Sequence, residues 1–303
     1  MLDHLIFLLY ILIFCFSTIG YGFFFSSITN RNFISLNIGY QGLFGFFFLV
    51  IISSATSFLF KHGYFHNAII HLIGILFLIF FFRKISKNDQ KLFFIIFLLM
   101  LIGAYVYKNH DDFPYYHLSY ALSLSENKFI IGMGNLGHGF RTFSSLFFFH
   151  SILYLPYIKF YLFHIGPFLL LLYFNFIVIK KIFYNLNIKK ASSLVLFFSL
   201  FSFTFVNIAF YRLSEHGTDR SPQILIFLIF IILLELFTNK KKINTQQTLF
   251  QTFVVLLFLI SSLKVLYYIY FLLIPLSIYV LKINLKFLKS FNLKLVIPII
   301  LSL

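Results

Sequence analysis

Charged side chains are scarce in this sequence of 303 residues, where Asp, Glu, Lys and Arg together account for 11%. A soluble domain carries about 25%, so this chain has too few charges to cover a surface that faces water. The few charges are also unbalanced, with 24 basic residues against 8 acidic ones. Nucleic-acid binding and cytosolic catalysis are therefore poor explanations of the net charge of +16.

Cysteine is nearly absent as well, since Cys15 is the only one in the sequence. A single cysteine excludes an intramolecular disulfide and any metal site built from several cysteines. Cys15 lies within the first apolar stretch, so we expect it to be a core residue of the first helix.

What the sequence has in excess is apolar residues, at 61% of the chain. A helix needs about 20 mostly apolar residues to cross a bilayer. Lipid offers no partner to unpaired backbone groups, so such stretches should be helices. We predict spans at 5–27, 42–60, 67–82, 92–107, 161–179, 192–212, 223–238, 249–263 and 265–281, and a tenth that begins near 295. The fold expected is an all-α, polytopic transmembrane helical bundle in contact with membrane lipids. Because the chain ends inside the tenth stretch, we expect a fragment truncated at its C-terminus.

The basic residues predict how the bundle is oriented, because cytoplasmic loops next to spans are enriched in Lys and Arg. Four basic clusters lie within 83–91, 180–190, 240–242 and 282–294. Placing all four inside agrees with the order of the spans. The intervening loops, 108–145 and 213–222, must then face outward.

The segment 146–179 is apolar enough for two short crossings, but two crossings would move Lys180 and Lys181 to the outside. We therefore predict one span at 161–179. The residues before it, 146–160, are expected to form a helix that lies on the membrane surface and extends the external region to 108–160.

The acidic residues are concentrated in the two external loops. This group comprises Asp111, Asp112, Glu126, Glu215 and Asp219. Such a distribution favours a site on the outer face over a transport path, because transporters place ionisable residues near the membrane midplane. Glu235 is the one acidic residue within a predicted span, and a snorkelling side chain near the cytoplasmic headgroups accounts for it.

The first external loop opens on the pair Asp111 and Asp112, directly after a span. Pro114 disfavours helix at Phe113, so the carboxylates should lie on a constrained turn at the membrane surface. A partly desolvated carboxylate there could act as a general base. A solvated loop end remains the alternative.

Two further features of this loop are candidates for substrate binding. Tyr116 and His117 could bind a phosphate or a sugar hydroxyl, or they could belong to an interfacial aromatic belt. The four glycines of 132–139 suggest positive φ or a close backbone approach. Arg141 could bind a phosphate bidentately or pair with headgroups.

The second external loop contains Glu215, His216, Asp219 and Arg220 within six residues. A tight loop needs glycine and polar residues, but this mixture of acids, histidine and arginine is less expected. Its spacing is not that of a zinc site, so a metal requirement stays open and a divalent cation is the candidate.

The pattern Asp112-x-x-x-Tyr116-His117, placed in an external loop after a span, is similar to the Asp-x-x-x-Tyr-His pattern of many bacterial GT-C membrane glycosyltransferases. The chain thus resembles the GT-C superfamily, with N-terminal helices at 1–91 and a GT-C-like core at 92–303. The resemblance implies a polyprenyl-phosphate sugar donor and transfer of a hexosyl or pentosyl group.

The acceptor implied by the resemblance is a cell-envelope glycan or lipid on the outer face of a bacterial inner (plasma) membrane. Asp112, together with Asp111, would be the catalytic base or would position the acceptor. The substrate would be bound by Tyr116, His117, Arg141, Glu215, His216, Asp219 and Arg220. The sequence does not name the sugar or the acceptor.

Two other functions remain open. A transporter or flippase for a lipid-linked envelope precursor would need polar residues at mid-membrane, and His71, Asn175 and Asn207 are the few candidates. Polar residues of this kind also hold packed helices together. A non-enzymatic assembly protein is the third possibility.

Overall fold

The computed structural model describes residues 2–105, 111–141, 143–187, 192–210, 213–238, 243–281 and 293–302. These residues form helices and turns, and the only β feature among them is an isolated bridge between Leu155 and Lys159. In this part of the chain, seven helices are long and apolar enough to cross a membrane. The predicted all-α, polytopic helical bundle is confirmed.

Seven of the predicted spans correspond to helices long enough to cross a membrane, whereas the spans predicted at 192–212 and 265–281 correspond to shorter apolar helices. Four long helices come first: α1 (Leu2–Thr29), α2 (Ile38–Ser57), α3 (Tyr64–Phe81) and α4 (Lys87–Tyr105). Two short helices follow, α5 (Leu118–Glu126) and α6 (Ser145–Ile152). The remainder are α7 (Ile165–Asn187), α8 (Ser193–Ala209), α9 (Leu213–Thr238), α10 (Ile243–Leu263), α11 (Leu273–Val280) and α12 (Leu293–Leu301). A 3-10 helix, Val265–Leu272, leads into α11.

The bundle has a buried centre and an apolar periphery. Helices α2, α7 and α10 form the centre. In the most apolar 18-residue stretch of each helix, 78%, 78% and 83% of the residues are buried. Helices α3 and α4 are buried over only 22% and 28%. Their exposed residues are large and apolar, such as Ile79 and Phe80 on α3. A face of this kind is suited to the hydrocarbon of a bilayer. Cys15 is fully buried in α1, as predicted.

Glycines allow α1 and α2 to pack with their backbones in contact. A Cβ atom on Gly45 would lie 1.7 Å from the carbonyl oxygen of Thr18, and one on Gly22 would lie 1.7 Å from that of Gln41. Small residues at helix interfaces are a common way for membrane helices to approach closely. The contact involves backbone atoms, so a side-chain rotation cannot relieve it.

We expect Gly45→Ala to lower the free energy of unfolding by about 1–3 kcal/mol, because the new methyl group forces α1 and α2 apart. Unfolding in mixed detergent micelles, followed by circular dichroism, measures this loss. Gly103→Ala on α4 is the matched control, since a Cβ there meets nothing within 4 Å. Equal effects of the two changes would contradict the packing argument.

Basic residues cluster at one end of the bundle. Lys180 at the end of α7 pairs with Asp89 at the start of α4, with 2.6 Å between Nζ and Oδ1. The predicted basic clusters at 83–91 and 180–181 therefore share an end. Residues 188–191, 239–242 and 282–292, which hold most of the other predicted basic residues, lie outside the described part of the chain.

Glu235 does not snorkel, so that interpretation is wrong. Its Oε2 atom lies 2.6 Å from Nζ of Lys181, and the Glu235 and Lys181 side chains are only 6% and 11% exposed. An ion pair between α7 and α9 keeps both charges inside the bundle.

The helix predicted on the membrane surface at 146–160 is instead short and buried. Helix α6 covers Ser145–Ile152, and all eight of its residues are buried in the protein. Residues 153–164 continue as turns. Phe147, Phe148 and Phe149 are buried against neighbouring parts of the protein. The prediction had placed these apolar side chains against lipid instead.

Candidate functional site

The two acidic segments meet at the end of the bundle opposite the basic clusters at 83–91 and 180–181. A Cβ atom on Gly217 would lie 2.9 Å from Cε1 of the His117 ring. Residues about a hundred positions apart are thus in van der Waals contact. The predicted site residues around His117 and around Gly217 therefore belong to one region, which we call the acidic site.

The first segment forms an unusual helical turn. Asp111 is exposed and Asp112 is half-buried, and a π-helical turn follows over Phe113–His117. Pro114 falls in its first turn, where a missing backbone N–H is tolerated. π-Helical turns are rare and frequently occur at functional sites. The turn carries Tyr116 and His117 into the protein, where they are 8% and 6% exposed.

Tyr116 connects the two acidic segments electrostatically. Burial, together with the nearby charges of Asp112 and Asp219, raises the pKa of its hydroxyl to about 12. The hydroxyl also donates a hydrogen bond to the Asp112 carboxylate. A carboxylate that accepts this bond stabilises the protonated phenol. Tyr116 therefore remains a proton donor at neutral pH and restrains Asp112.

The second segment is not the loop predicted at 213–222 but the beginning of α9. Gly217 interrupts the helix with φ of +38° and ψ of −140°. A residue with a side chain is strained at this φ, and its Cβ atom would also press on His117. The backbone is fixed further by Ser221, whose Oγ donates to the Gly217 carbonyl oxygen at 2.8 Å. The side chains of Glu215 and His216 lie outside the described structure.

Asp219 and Arg220 follow this interruption. Asp219 forms an ion pair with Lys264, and its carbonyl oxygen accepts a hydrogen bond from the Tyr267 hydroxyl at 3.3 Å. Sequence reasoning missed Lys264. A signal was present, since it is a single lysine between two apolar stretches. Arg220 donates from Nη1 to Oε1 of Gln223 at 2.9 Å.

The glycine-rich stretch supports the site rather than a ligand. Gly132 has the predicted positive φ, at +87°. Gly139 provides the predicted close approach, but to Tyr116, whose ring would lie 2.5 Å from a Cβ atom there. Arg141 bends back over the same stretch and donates from Nε to the Gly134 carbonyl oxygen at 3.3 Å.

An apolar groove adjoins the acidic site at Arg220. It lies between α8, α9 and the 3-10 helix that precedes α11, and its volume is about 380 Å³. Phe205, Phe227 and Tyr270 line it, and Arg220 and Gln223 are polar members of its wall. We call it the Arg220 groove. The Arg220 guanidinium can bind an anionic group, and the apolar wall of the groove can bind a hydrocarbon chain attached to that group.

The described residues do not fit a divalent cation. Among them, no three His, Cys, Asp or Glu side chains are grouped closely enough to hold a metal ion. A divalent cation thus stays a prediction from the sequence.

The mid-span polar residues bind one another or the backbone. Asn175 donates to Oδ1 of Asn207 at 2.9 Å, and Asn207 donates back to Oδ1 of Asn175 at 2.7 Å. His71 lies 3.1 Å from Ser17 Oγ and donates from Nε2 to the carbonyl oxygen of Ile152 at 2.9 Å. These contacts join helices.

The chain was compared with known proteins. No curated protein and no solved structure matches it. The GT-C resemblance therefore stays a prediction from the Asp112–His117 pattern. One family model matches, over residues 1–303, and its description is a domain of unknown function, DUF8201. The chain therefore belongs to the DUF8201 family.

Proposed function

We propose that this protein is an integral membrane glycosyltransferase that takes a sugar from a polyprenyl-phosphate-linked donor. The acceptor is a cell-envelope glycan or lipid on the outer face of a bacterial inner membrane. One observation carries the proposal: His117 packs against Gly217 at the start of α9, and Tyr116 lies near the charges of both Asp112 and Asp219. Arg220, the next residue, borders an apolar groove. The proposed base Asp112, the proposed phosphate-binding residue Arg220 and the apolar Arg220 groove thus belong to one region of the protein.

Asp112 is the general base in this reaction. Its carboxylate takes the proton of an acceptor hydroxyl while that oxygen attacks the anomeric carbon of the sugar. The bond between that carbon and the phosphate oxygen breaks, and polyprenyl phosphate leaves with the bonding electrons. Tyr116 holds the carboxylate through the hydrogen bond that its protonated hydroxyl donates.

Arg220 binds the donor phosphate. A guanidinium group can donate two parallel hydrogen bonds to phosphate oxygens, which fixes both the position and the orientation of the group. The hydrocarbon chain of the donor then lies in the Arg220 groove against Phe205 and Phe227. Lys264, paired with Asp219, limits the repulsion between that carboxylate and the phosphate.

Transport or flipping of a lipid-linked precursor is the weaker alternative. It needs polar groups that can bind a substrate near mid-membrane. Asn175, Asn207 and His71 already use polar atoms in contacts between helices. These three residues are therefore committed to helix packing, which weakens the case for a substrate site at mid-membrane.

A direct assay tests the proposal. The full chain in proteoliposomes is incubated with radiolabelled polyprenyl-phosphate sugars and with bacterial membrane lipids and glycans as acceptors. We expect chain-dependent transfer of label from at least one donor. Folded protein that transfers no sugar from any donor of a broad panel, yet moves lipid-linked sugars across the bilayer, would overturn the proposal in favour of flipping.

We expect Arg220→Gln to raise KM for the donor by about 10- to 100-fold, because hydrogen bonds to a charged phosphate contribute about 1.5–3 kcal/mol. Initial rates over a range of donor concentrations measure KM and kcat separately. Arg83→Gln removes an exposed arginine at the opposite end of the bundle and should leave both unchanged. An unaltered KM in Arg220→Gln would remove the arginine from donor binding.

A further inference from the structure

A second, larger groove opens on the side of the bundle at the far end of α5. It lies between residues 59–66, which connect α2 to the start of α3, and residues 125–128 at the end of α5. Its volume is about 1150 Å³. We call it the lateral groove. Helix α5 begins directly after His117 and has 9 residues. The groove therefore lies about 13 Å from the acidic site, measured along the axis of α5.

Backbone hydrogen bonds hold the two walls of the lateral groove together. His62 N–H donates to the Leu124 carbonyl oxygen at 2.8 Å, and Phe129 N–H donates to that of Ser57 at 2.8 Å. Asn67 Nδ2 donates to the His62 carbonyl oxygen at 2.7 Å. The groove is therefore a built feature of the fold, formed by segments that are tied to each other.

Positive charge gathers in the lateral groove. Lys61 and Lys128 both line it and are exposed, against one carboxylate, Glu126. Helix α3 also begins there, at Gly63, which provides no side-chain cap. The uncapped start of a helix presents backbone N–H groups and the positive end of the helix dipole to an anion. Two cations and a helix start thus favour a negatively charged group.

The rest of the lateral groove is apolar and faces outward. Phe60 and Phe65 are 58% and 81% exposed, and Ile69 continues this surface along α3. Tyr64 and Tyr154 stack beside it at 4.9 Å between ring centroids. Tyrosines are typical of the headgroup level of a membrane. The cations should thus lie at the depth of lipid phosphates, and the apolar residues at the depth of acyl chains.

We propose that the lateral groove binds one anionic phospholipid. Its phosphate lies between Lys61, Lys128 and the start of α3, and its acyl chains lie over Phe60, Phe65 and Ile69. The binding is separate from sugar transfer, because the groove and Asp112 lie at opposite ends of α5. A failure of either proposal leaves the other intact.

Native mass spectrometry of the purified full chain tests this binding, with phosphatidylglycerol and phosphatidylcholine as probes. We expect the protein to retain phosphatidylglycerol more tightly. The double variant Lys61→Gln/Lys128→Gln should lose about 10- to 30-fold in affinity for phosphatidylglycerol, with phosphatidylcholine unchanged, because each basic residue near a membrane surface contributes about a factor of five. The variant Lys84→Gln/Lys87→Gln, with two exposed lysines changed at the opposite end, should behave like the unaltered protein.

Competition distinguishes a lipid site from a site for soluble anions. Inorganic phosphate and glycerophosphoglycerol, which has the headgroup without acyl chains, should not displace the lipid at millimolar concentration. Displacement by either compound would overturn the proposal of a lipid site. Equal retention of the two phospholipids, or unchanged affinity in Lys61→Gln/Lys128→Gln, would overturn it as well.

Discussion

Replacing Asp112 by asparagine is expected to lower kcat for sugar transfer by about 10²–10⁴-fold, the usual contribution of a positioned general base. Asparagine keeps the size of the side chain and can still accept the hydrogen bond from Tyr116. It cannot take a proton from the acceptor hydroxyl. The loss should therefore fall on kcat, while KM for the donor changes little because Arg220 remains.

Two other carboxylates at the same end of the bundle serve as comparisons. Asp111→Asn should cost less than Asp112→Asn, because Asp111 is exposed while Asp112 reaches Tyr116. Asp3→Asn changes an exposed carboxylate at the start of α1 and should leave transfer unaffected. Size-exclusion profiles and melting temperatures establish that each variant is folded. Full activity of a folded Asp112→Asn protein would eliminate Asp112 as the base.

Breaking the ion pair between Lys181 and Glu235 is expected to produce the largest loss of stability. Either Lys181→Met or Glu235→Gln removes the ion pair while the other charge stays buried, at a cost of about 3–5 kcal/mol. Both side chains are nearly excluded from solvent, at 11% and 6% exposure, so water cannot replace the lost partner. Unfolding in mixed detergent micelles measures the change.

The double variant Lys181→Met/Glu235→Leu separates the ion pair from other packing effects. Replacing both charges by apolar groups removes the desolvation penalty together with the attraction, so much of the stability should return. Asp89→Asn provides a matched comparison, because its partner Lys180 is 35% exposed and a more solvated pair contributes about 0–1 kcal/mol. A loss in the double variant equal to the sum of the losses in Lys181→Met and Glu235→Leu would contradict this account.

The sequence correctly predicted seven of the spans because each of them satisfies a local condition. A helix within lipid closes its own hydrogen bonds, so a stretch such as 42–60 must be helical whatever lies next to it. The prediction failed at 146–160, where the same composition is buried inside protein. The composition of an apolar segment is the same whether the segment is buried against lipid or against other helices.

The candidate site was accessible to sequence reasoning only in part. The pattern Asp112-x-x-x-Tyr116-His117 is local, and the positive-inside rule placed it on the same face as Gly217. Lys264 and the Arg220 groove were missed, because both depend on how α8, α9 and α10 pack. The ion pair of Glu235 was missed for the same reason, since its partner lies 54 positions away.

Composition and charge placement by themselves determined that this chain is a multi-pass helical membrane protein, and predicted that most of its acidic residues lie on one face. These properties follow from the transfer of single segments into lipid, which is an additive and local free energy. Only the tertiary structure decided that His117 touches Gly217, that Tyr116 restrains Asp112 and that α6 is buried. Contacts of this kind depend on close packing between distant helices, and no pattern along the chain encodes those distances.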